Sequence, residues 1–423
     1  MITHDLIFLS LEDWDHIWRR NQFVCSTLAR RHPEMKILFV GIPRHAKNLL
    51  ASGNLKPLLT NPTHAVPEFS NITVTTPLRP APDKTKWGLR LNETFYRRHI
   101  AAAAQRLGLK NPILWINPHN AYHVIDDIPH SALIYDITDD WTSFTQNDLD
   151  RERTIAADRV LCHRADATIV CSEKLWELKT HLVPEGKLHF VKNGVDADHY
   201  AAVLQTGPIP ENLATLPRPL FGYTGTLHPD RLDIDLLLKT AALLKTGSIA
   251  LIGPNHLPPS DQSALQHTGK IHILPAIPYH EIPNAMRAFD VAITPHKVTP
   301  FTESLNPIKL FEYFAAGKPI VSTPVAGFRD HPSLVRLAGT PEEFAAALQS
   351  AVTEPNSPAA MQSEAKKHSW QSRVDQIEEV FTHAGAPLAP PPRPASSATP
   401  VGKPKRLPPL RKPGLASTRA SHS

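Results

Sequence analysis

The sequence predicts an α/β protein built on parallel sheets. Strand-like apolar runs alternate with helical stretches through most of the chain, the pattern of repeated βα units. Runs such as DLIFLS, KILFVG and ATIVC have apolar, β-branched or aromatic middles and read as buried strands. The length, 423 residues, gives room for two domains of ordinary size.

Taken in order, Asp5–Ser10 is the first expected strand. Trp14 to Arg31 reads as a helix, with Trp14, Ile17, Trp18, Val24, Cys25 and Leu28 mostly on one side. Lys36–Gly41 is a second buried strand, and the Pro- and polar-rich section from Pro43 to Trp87 carries one clear strand, Ile72–Val74. Asn92 to Leu107 is helical, Ile113–Ile116 and Ala132–Tyr135 are strands, Leu149 to Arg164 is helical, and Ala167–Cys171 is a strand. Ser172 suits the cap of a helix ending near His181. The segment KLHFVKNGVDADHY, Lys187 to Tyr200, runs from a strand into a turn at Gly194.

A second α/β run opens at Pro219 with PLFGYTGTL. It continues through helix Ile234–Leu244, strands Ile249–Gly253 and Ile271–Leu274, helix His280–Ala288 and strand Val291–Thr294. Helix Pro341–Val352 follows, then a last helix, Trp370–Phe381, with Trp370, Val374, Ile377 and Phe381 on one face.

Between them lies the segment with the most chemistry, NPIKLFEYFAAGKPIVSTP, Asn306 to Pro324. Asn306 suits an N-cap, Pro307 the first helical position, and Gly317 a helix C-cap at positive φ. Lys309 and Glu312 stand three apart on one helix face. A cation and a carboxylate presented together near a helix N-terminus suit a nucleotide, the lysine and helix end for phosphate, the carboxylate for ribose. They equally suit a surface pair with each other. The segment resembles the donor-binding signature of GT-B glycosyltransferases, especially the family-4-like bacterial enzymes that build surface polysaccharides and teichuronic acid. The resemblance implies that Glu312, ahead of AAGKPIV, binds the donor ribose. In the family a further glutamate stands eight residues earlier; here that position is Ser304, with Glu303 one step off, and inverting versus retaining transfer stays open.

Other segments extend the resemblance over about residues 5 to 382. NGVD matches the family's domain junction. It implies a GT-B fold of two Rossmann-like domains facing across a cleft: an acceptor-binding domain at 1–190 and a nucleotide-sugar-binding domain at 191–383, with the last helix crossing back. FGYTGTL occupies the place of the family's glycine-rich loop, so Gly225 and Thr226 are donor-binding candidates. Spaced glycines allow backbone N–H groups close to a diphosphate. Arg231 can offer a fork to phosphate or pair with Asp233 or Asp235. Asn306 and Lys309 complete the donor set.

Ligands of parallel sheets lie beyond the carboxyl ends of strands, which selects NPHNAYH after Ile116 and DITDDW after Tyr135. YDITDDW resembles an element of bacterial polysaccharide glycosyltransferases. Sugar transfer with inversion needs a base near the anomeric carbon, and Asp139, then Asp136, are the candidates. Each of these aspartates also suits the cap of a turn. Asp13, Asp15 and His16, after the first strand, also face the expected cleft or cap the following helix. His119 and His123 have the spacing of a helical zinc pair, but Pro118 and Asn120 indicate a loop and no third ligand has suitable spacing. No metal or other cofactor is expected, since GT-B enzymes of this sort work without one.

Composition bounds the rest. Hydrophobic residues make up 41%, and no run approaches the roughly 20 apolar residues that span a bilayer. The N-terminus lacks the features of a signal peptide. Cys25, Cys162 and Cys171 are odd in number and lie in apolar patterns, as buried thiols of a reducing cytoplasm do. The net charge is +5, yet residues 384–423 hold seven Lys or Arg and no acid, leaving 38 basic and 40 acidic residues, net −2, in the rest. That excludes a basic nucleic-acid-binding core. The extension, rich in Pro, Ala and Ser, is expected to be disordered, either solubilising or in peripheral contact with anionic lipid at the inner membrane face. The expected activity is glycosyl transfer from a nucleoside diphosphate sugar to a hydroxyl of a glycan or lipid-linked acceptor. A non-hydrolysing nucleotide-sugar epimerase and an inactive sugar-nucleotide-binding scaffold are the alternatives.

Overall fold

The computed structural model describes residues 4–15, 17–53, 63–83, 85–142 and 147–388. Its strands, in chain order, are β1 (Leu6–Leu9), β2 (Ile37–Val40), β3 (Arg44–His45), β4 (His64–Val66), β5 (Phe69–Thr75), β6 (Leu78–Arg79), β7 (Ile113–Ile116), β8 (Ala132–Ile137), β9 (Ala167–Val170) and β10 (Leu188–Phe190), then β11 (Leu220–Thr224), β12 (Ser248–Ile252), β13 (Ile271–Leu274), β14 (Val291–Thr294), β15 (Ile320–Ser322) and β16 (Val335–Leu337). The first group builds a sheet ordered β10-β9-β8-β7-β1-β2-β5-β4, and the second a sheet ordered β13-β12-β11-β14-β15-β16. Every pairing in both is parallel except β4 on β5. β3 and β6 form a separate parallel ribbon.

The central strands are buried along their whole length because helices cover both faces, which is why they read as continuous apolar runs rather than alternating ones. The last helix, Trp370–His383, leaves the second sheet and packs on the first. Trp370, Val374, Ile377 and Phe381 join the core of β1, β2 and β7. Trp370 stacks on Phe23 at 5.0 Å and Phe381 meets Trp115 edge-on at 5.8 Å. Arg31 binds Asp375 and Glu378 from the same helix. Residues 4–388 lie within one compact unit for this reason.

The structure corrects several expectations. The first helix spans Arg20–Arg31, not Trp14–Arg31. Ser10 Oγ accepts from Glu12 N and Asp15 Oδ1 from Ile17 N, local turns that compete with a helix. Trp14 and Trp18 are apolar because the loop packs: Trp14 lies edge-on to Phe39 and Trp18 stacks on Tyr279. Helices Pro259–His267 and Pro358–Lys366 were not expected; each begins at a proline and has one narrow buried edge. Ala384–Leu388, assigned by composition to the extension, continue the fold. Ala386 N donates to Phe381 O at 2.8 Å, and Ala386 is buried. Expectations for the extension otherwise fall on residues 389–423, outside the described residues, as does His16. Among the described residues no helix is long and apolar enough to cross a membrane.

Candidate active site

The carboxyl ends of both sheets open on one cavity of about 360 Å³, where the topology of parallel sheets puts ligands. Glu12, Asn117 and Asp139 reach it from the ends of β1, β7 and β8. Gly225, Gly253 and His296 reach it from the ends of β11, β12 and β14.

On the second-sheet side, helix Ile308–Ala315 carries Lys309 and Glu312 into the cavity. Its other face buries Leu310, Phe311, Phe314 and Ala315, which fixes its rotation. Lys309 Nζ lies 5.3 Å from the Tyr223 ring centroid. Burial, with Arg231 nearby, pushes its ammonium down to about 8. Glu312 Oε1 accepts from Tyr200 OH at 2.8 Å. Burial raises its carboxyl, while the Tyr200 bond and Lys309 oppose the shift. Glu312 is thus oriented by a tyrosine, and no ion pair between it and Lys309 is found among the described residues.

The β11 turn supplies a close backbone approach. Gly225 has φ 146°, and a Cβ there would lie 3.1–3.2 Å from Lys309 Cε and Nζ. Thr226 lines the cavity beside it. Arg231 turns into the cavity and not toward the acids that follow it. Asp233 Oδ1 accepts from Leu236 N, capping helix Ile234–Leu243, and Asp235 pairs with Lys239. Asn306 also lines the cavity but does not cap the helix; Pro307 holds that position without a side-chain cap. Asn306 Oδ1 accepts instead from Asn193 N at 2.8 Å, and its carbonyl from Asn193 Nδ2 at 2.6 Å. It clamps the NGVD turn to the start of helix Ile308–Ala315.

On the first-sheet side, Asp139 is the expected residue that the cavity receives. Arg231 lies 3.9 Å away across the sheets, and Thr138 Oγ1 donates to Asp139 Oδ2. Burial raises its carboxyl against the opposing pull of Arg231. Asp136 is corrected: it is fully buried, and both its oxygens accept from Arg20, at 3.0 and 3.1 Å. Arg20 also reaches Val191 O and Asn193 Oδ1, so Asp136 positions the junction and offers no free oxygen to a substrate. Asp140 is buried and accepts from Thr142 N and Oγ1, the turn-cap role. Asp13 binds Ile42 N and Arg44, and Asp15 closes its own turn; neither lines the cavity. His119 and His123 sit on a short 3₁₀ turn away from it, with Thr154 Oγ1 3.4 Å from His119 Nε2.

Two residues that the sequence did not single out join the site. Glu12 lines the cavity with Oε2 buried and unpartnered. Burial pushes its carboxyl up to about 7 against Arg19, with Asp139 adding to the rise. His296 is fully enclosed; burial, Lys309 and Arg231 hold it neutral, and Nε2 is 3.2 Å from Tyr223 OH. Position 304 is explained as well. Ser304 is buried between the sheets, accepting from Asp140 N and, at its carbonyl, from Ser172 Oγ. Glu303 pairs with Arg329 and contacts Ala326 N outside the cavity.

Comparison with known proteins agrees with this geometry. Residues 218–354 match the family described as Glycosyl transferases group 1. Over 201 residues the chain is 29% identical to TuaH of Bacillus subtilis, a protein whose name assigns it to teichuronic acid biosynthesis as a glycosyltransferase. The match covers 45% of this chain and 50% of TuaH, so the chain spans about half the length of that relative. Among solved structures, a sucrose-phosphate synthase from Thermosynechococcus elongatus superposes with a TM-score of 0.66 at 14% identity, covering 90% of this chain and 99% of that one. Anabaena HepE in complex with UDP-glucose gives 0.62 at 15% identity, covering 89% and 99%. Residues 218–354 are thus similar to the group 1 glycosyl transferases, and the two facing sheets have the GT-B fold of these solved structures.

Proposed function

We propose that the protein transfers a glycosyl group from a nucleoside diphosphate sugar to a hydroxyl of a glycan or lipid-linked acceptor in the assembly of a bacterial surface polysaccharide. The observation that carries this reading is the convergence, on one cavity, of two cations and a tyrosine-held carboxylate from one sheet with a half-buried aspartate from the other. Glu312 takes the ribose hydroxyls, and Tyr200 keeps it in place. Lys309, Arg231 and the N–H groups of the Gly225–Thr226 turn take the diphosphate.

The chemistry follows from charge. The acceptor oxygen bonds to the anomeric carbon as the bond from that carbon to the phosphate oxygen breaks. The leaving diphosphate gains negative charge, which Lys309 and Arg231 stabilise. Asp139 takes the acceptor proton. Before donor binding Arg231 faces Asp139; a diphosphate that engages Arg231 weakens that pairing and makes the carboxylate a stronger base. These two cations do the work for which other transferases use a divalent metal, so turnover is expected to survive chelation. The three free, buried cysteines suit a reducing, cytoplasmic setting.

The test is turnover against binding. Asp139→Asn should retain donor affinity and lower the release of nucleoside diphosphate by about 10²–10⁴-fold, the range for loss of a general base. Unchanged turnover in that variant would remove Asp139 from the chemistry.

A further inference from the structure

Helix Lys86–Leu107 turns an apolar stripe outward, away from the cavity. Trp87, Leu91 and Phe95 recur every four residues and so share one face. They are 61%, 37% and 45% exposed. The opposite face, with Asn92, Tyr96, Ile100 and Ala103, is buried against the first sheet. The helix contains five Lys or Arg and one acid, Glu93. Arg97 is paired with Asp127 at 2.5 Å. Lys86, Arg90 and Arg98 are exposed, and no ion pair to any of them is found among the described residues. The short helix Ala46–Ala51 continues the surface. It follows β3, whose partner β6 packs against the long helix, and adds exposed Lys47 and Leu50, the latter 60% exposed.

An aromatic and aliphatic row flanked by cations complements a layer with acyl chains below and phosphates above. A protein partner would more commonly present aromatic anchors to a pocket than to a row bordered by like charges. We propose that this face docks the protein on an anionic lipid bilayer, with Trp87, Leu91 and Phe95 entering the boundary between headgroups and acyl chains and Lys86, Arg90 and Arg98 meeting lipid phosphates. The inference uses no residue of the cavity and stands apart from the glycosyl-transfer reading.

The experiment is co-sedimentation of the full chain with vesicles of phosphatidylcholine alone and of phosphatidylcholine with phosphatidylglycerol. Binding should require the anionic lipid and weaken with salt. The triple variant Trp87→Ser, Leu91→Ser, Phe95→Ser should lower partitioning about tenfold or more with its melting temperature kept, since these side chains are exposed. Lys86→Glu, Arg90→Glu, Arg98→Glu should abolish the preference for anionic lipid. A full chain with the seven Lys and Arg of residues 389–423 changed to Gln should keep most of its binding. No binding of the wild type to anionic vesicles, equal binding by both helix variants, or loss of binding through the Gln changes alone would each overturn the proposal.

Discussion

Lys309 makes the most direct claim at the scale of single residues. It is a cavity-lining lysine whose ammonium is held near 8 by burial and by Arg231. A diphosphate beside it favours the charged form, so donor binding above about pH 8 takes up a proton and weakens as pH rises. Below that pH the lysine is already charged and affinity should be flat. Lys309→Met should weaken donor binding by about 1.5–3 kcal/mol, the value of a hydrogen bond to a charged group, and remove the alkaline fall in a calorimetric pH series. Glu12 predicts the opposite kind of dependence. Its carboxyl is raised from 4.5 to about 7 in the folded chain, so the folded state holds a proton that the unfolded state gives up. Its stabilising contribution is complete below about pH 4.5 and is lost as pH rises through 7. The melting temperature of the wild type should therefore fall more between pH 5 and 8 than that of Glu12→Gln. Equal slopes would show that Glu12 ionises normally. Lys309 and Glu312 were legible in the sequence because their spacing sits in one short helix with an unambiguous apolar face. Glu12 was not, because burial in the cavity wall does most to raise its carboxyl, and that burial, like the nearby charges of Asp139 and Arg231, arises only through the fold.

At the scale of elements, the final helix couples the two sheets. Phe381 is fully buried among residues of the first sheet, though its helix follows the second sheet in the chain. Phe381→Ala should destabilise the protein by about 3–5 kcal/mol, and in a denaturation experiment both sheets should respond together. Loss confined to one transition, with the second sheet unaffected, would show that the helix is not the coupling element. This helix was readable because Trp370, Val374, Ile377 and Phe381 keep a clean helical period. The stretch around Trp14 and Trp18 was not. Its tryptophans mimic helical spacing, while Ser10 and Asp15 close turns through their side chains, and their packing partners Phe39, Phe69 and Tyr279 are remote in sequence. Asp136 teaches the same lesson for a motif. It stands at the end of a strand, as a catalytic carboxylate would, and only the structure shows Arg20 occupying both its oxygens.

The described residues build two mainly parallel sheets whose carboxyl ends share one cavity. Alternating strands and helices announced the sheets; their facing arrangement depends on contacts no local pattern encodes, such as the Asn193–Asn306 clamp and the Arg20–Asp136 pair. The central claim is that the second sheet holds a nucleoside diphosphate sugar through Glu312 and Lys309. The measurement that tests it most directly is calorimetric titration of the purified protein with a panel of nucleoside diphosphate sugars, repeated with Glu312→Gln, which can keep the bond to Tyr200, and with Lys309→Met. The account predicts that a donor binds and that each variant weakens it at least about tenfold, with the fold intact by circular dichroism. A folded wild type that binds no donor, or a donor whose affinity neither substitution changes, would contradict it.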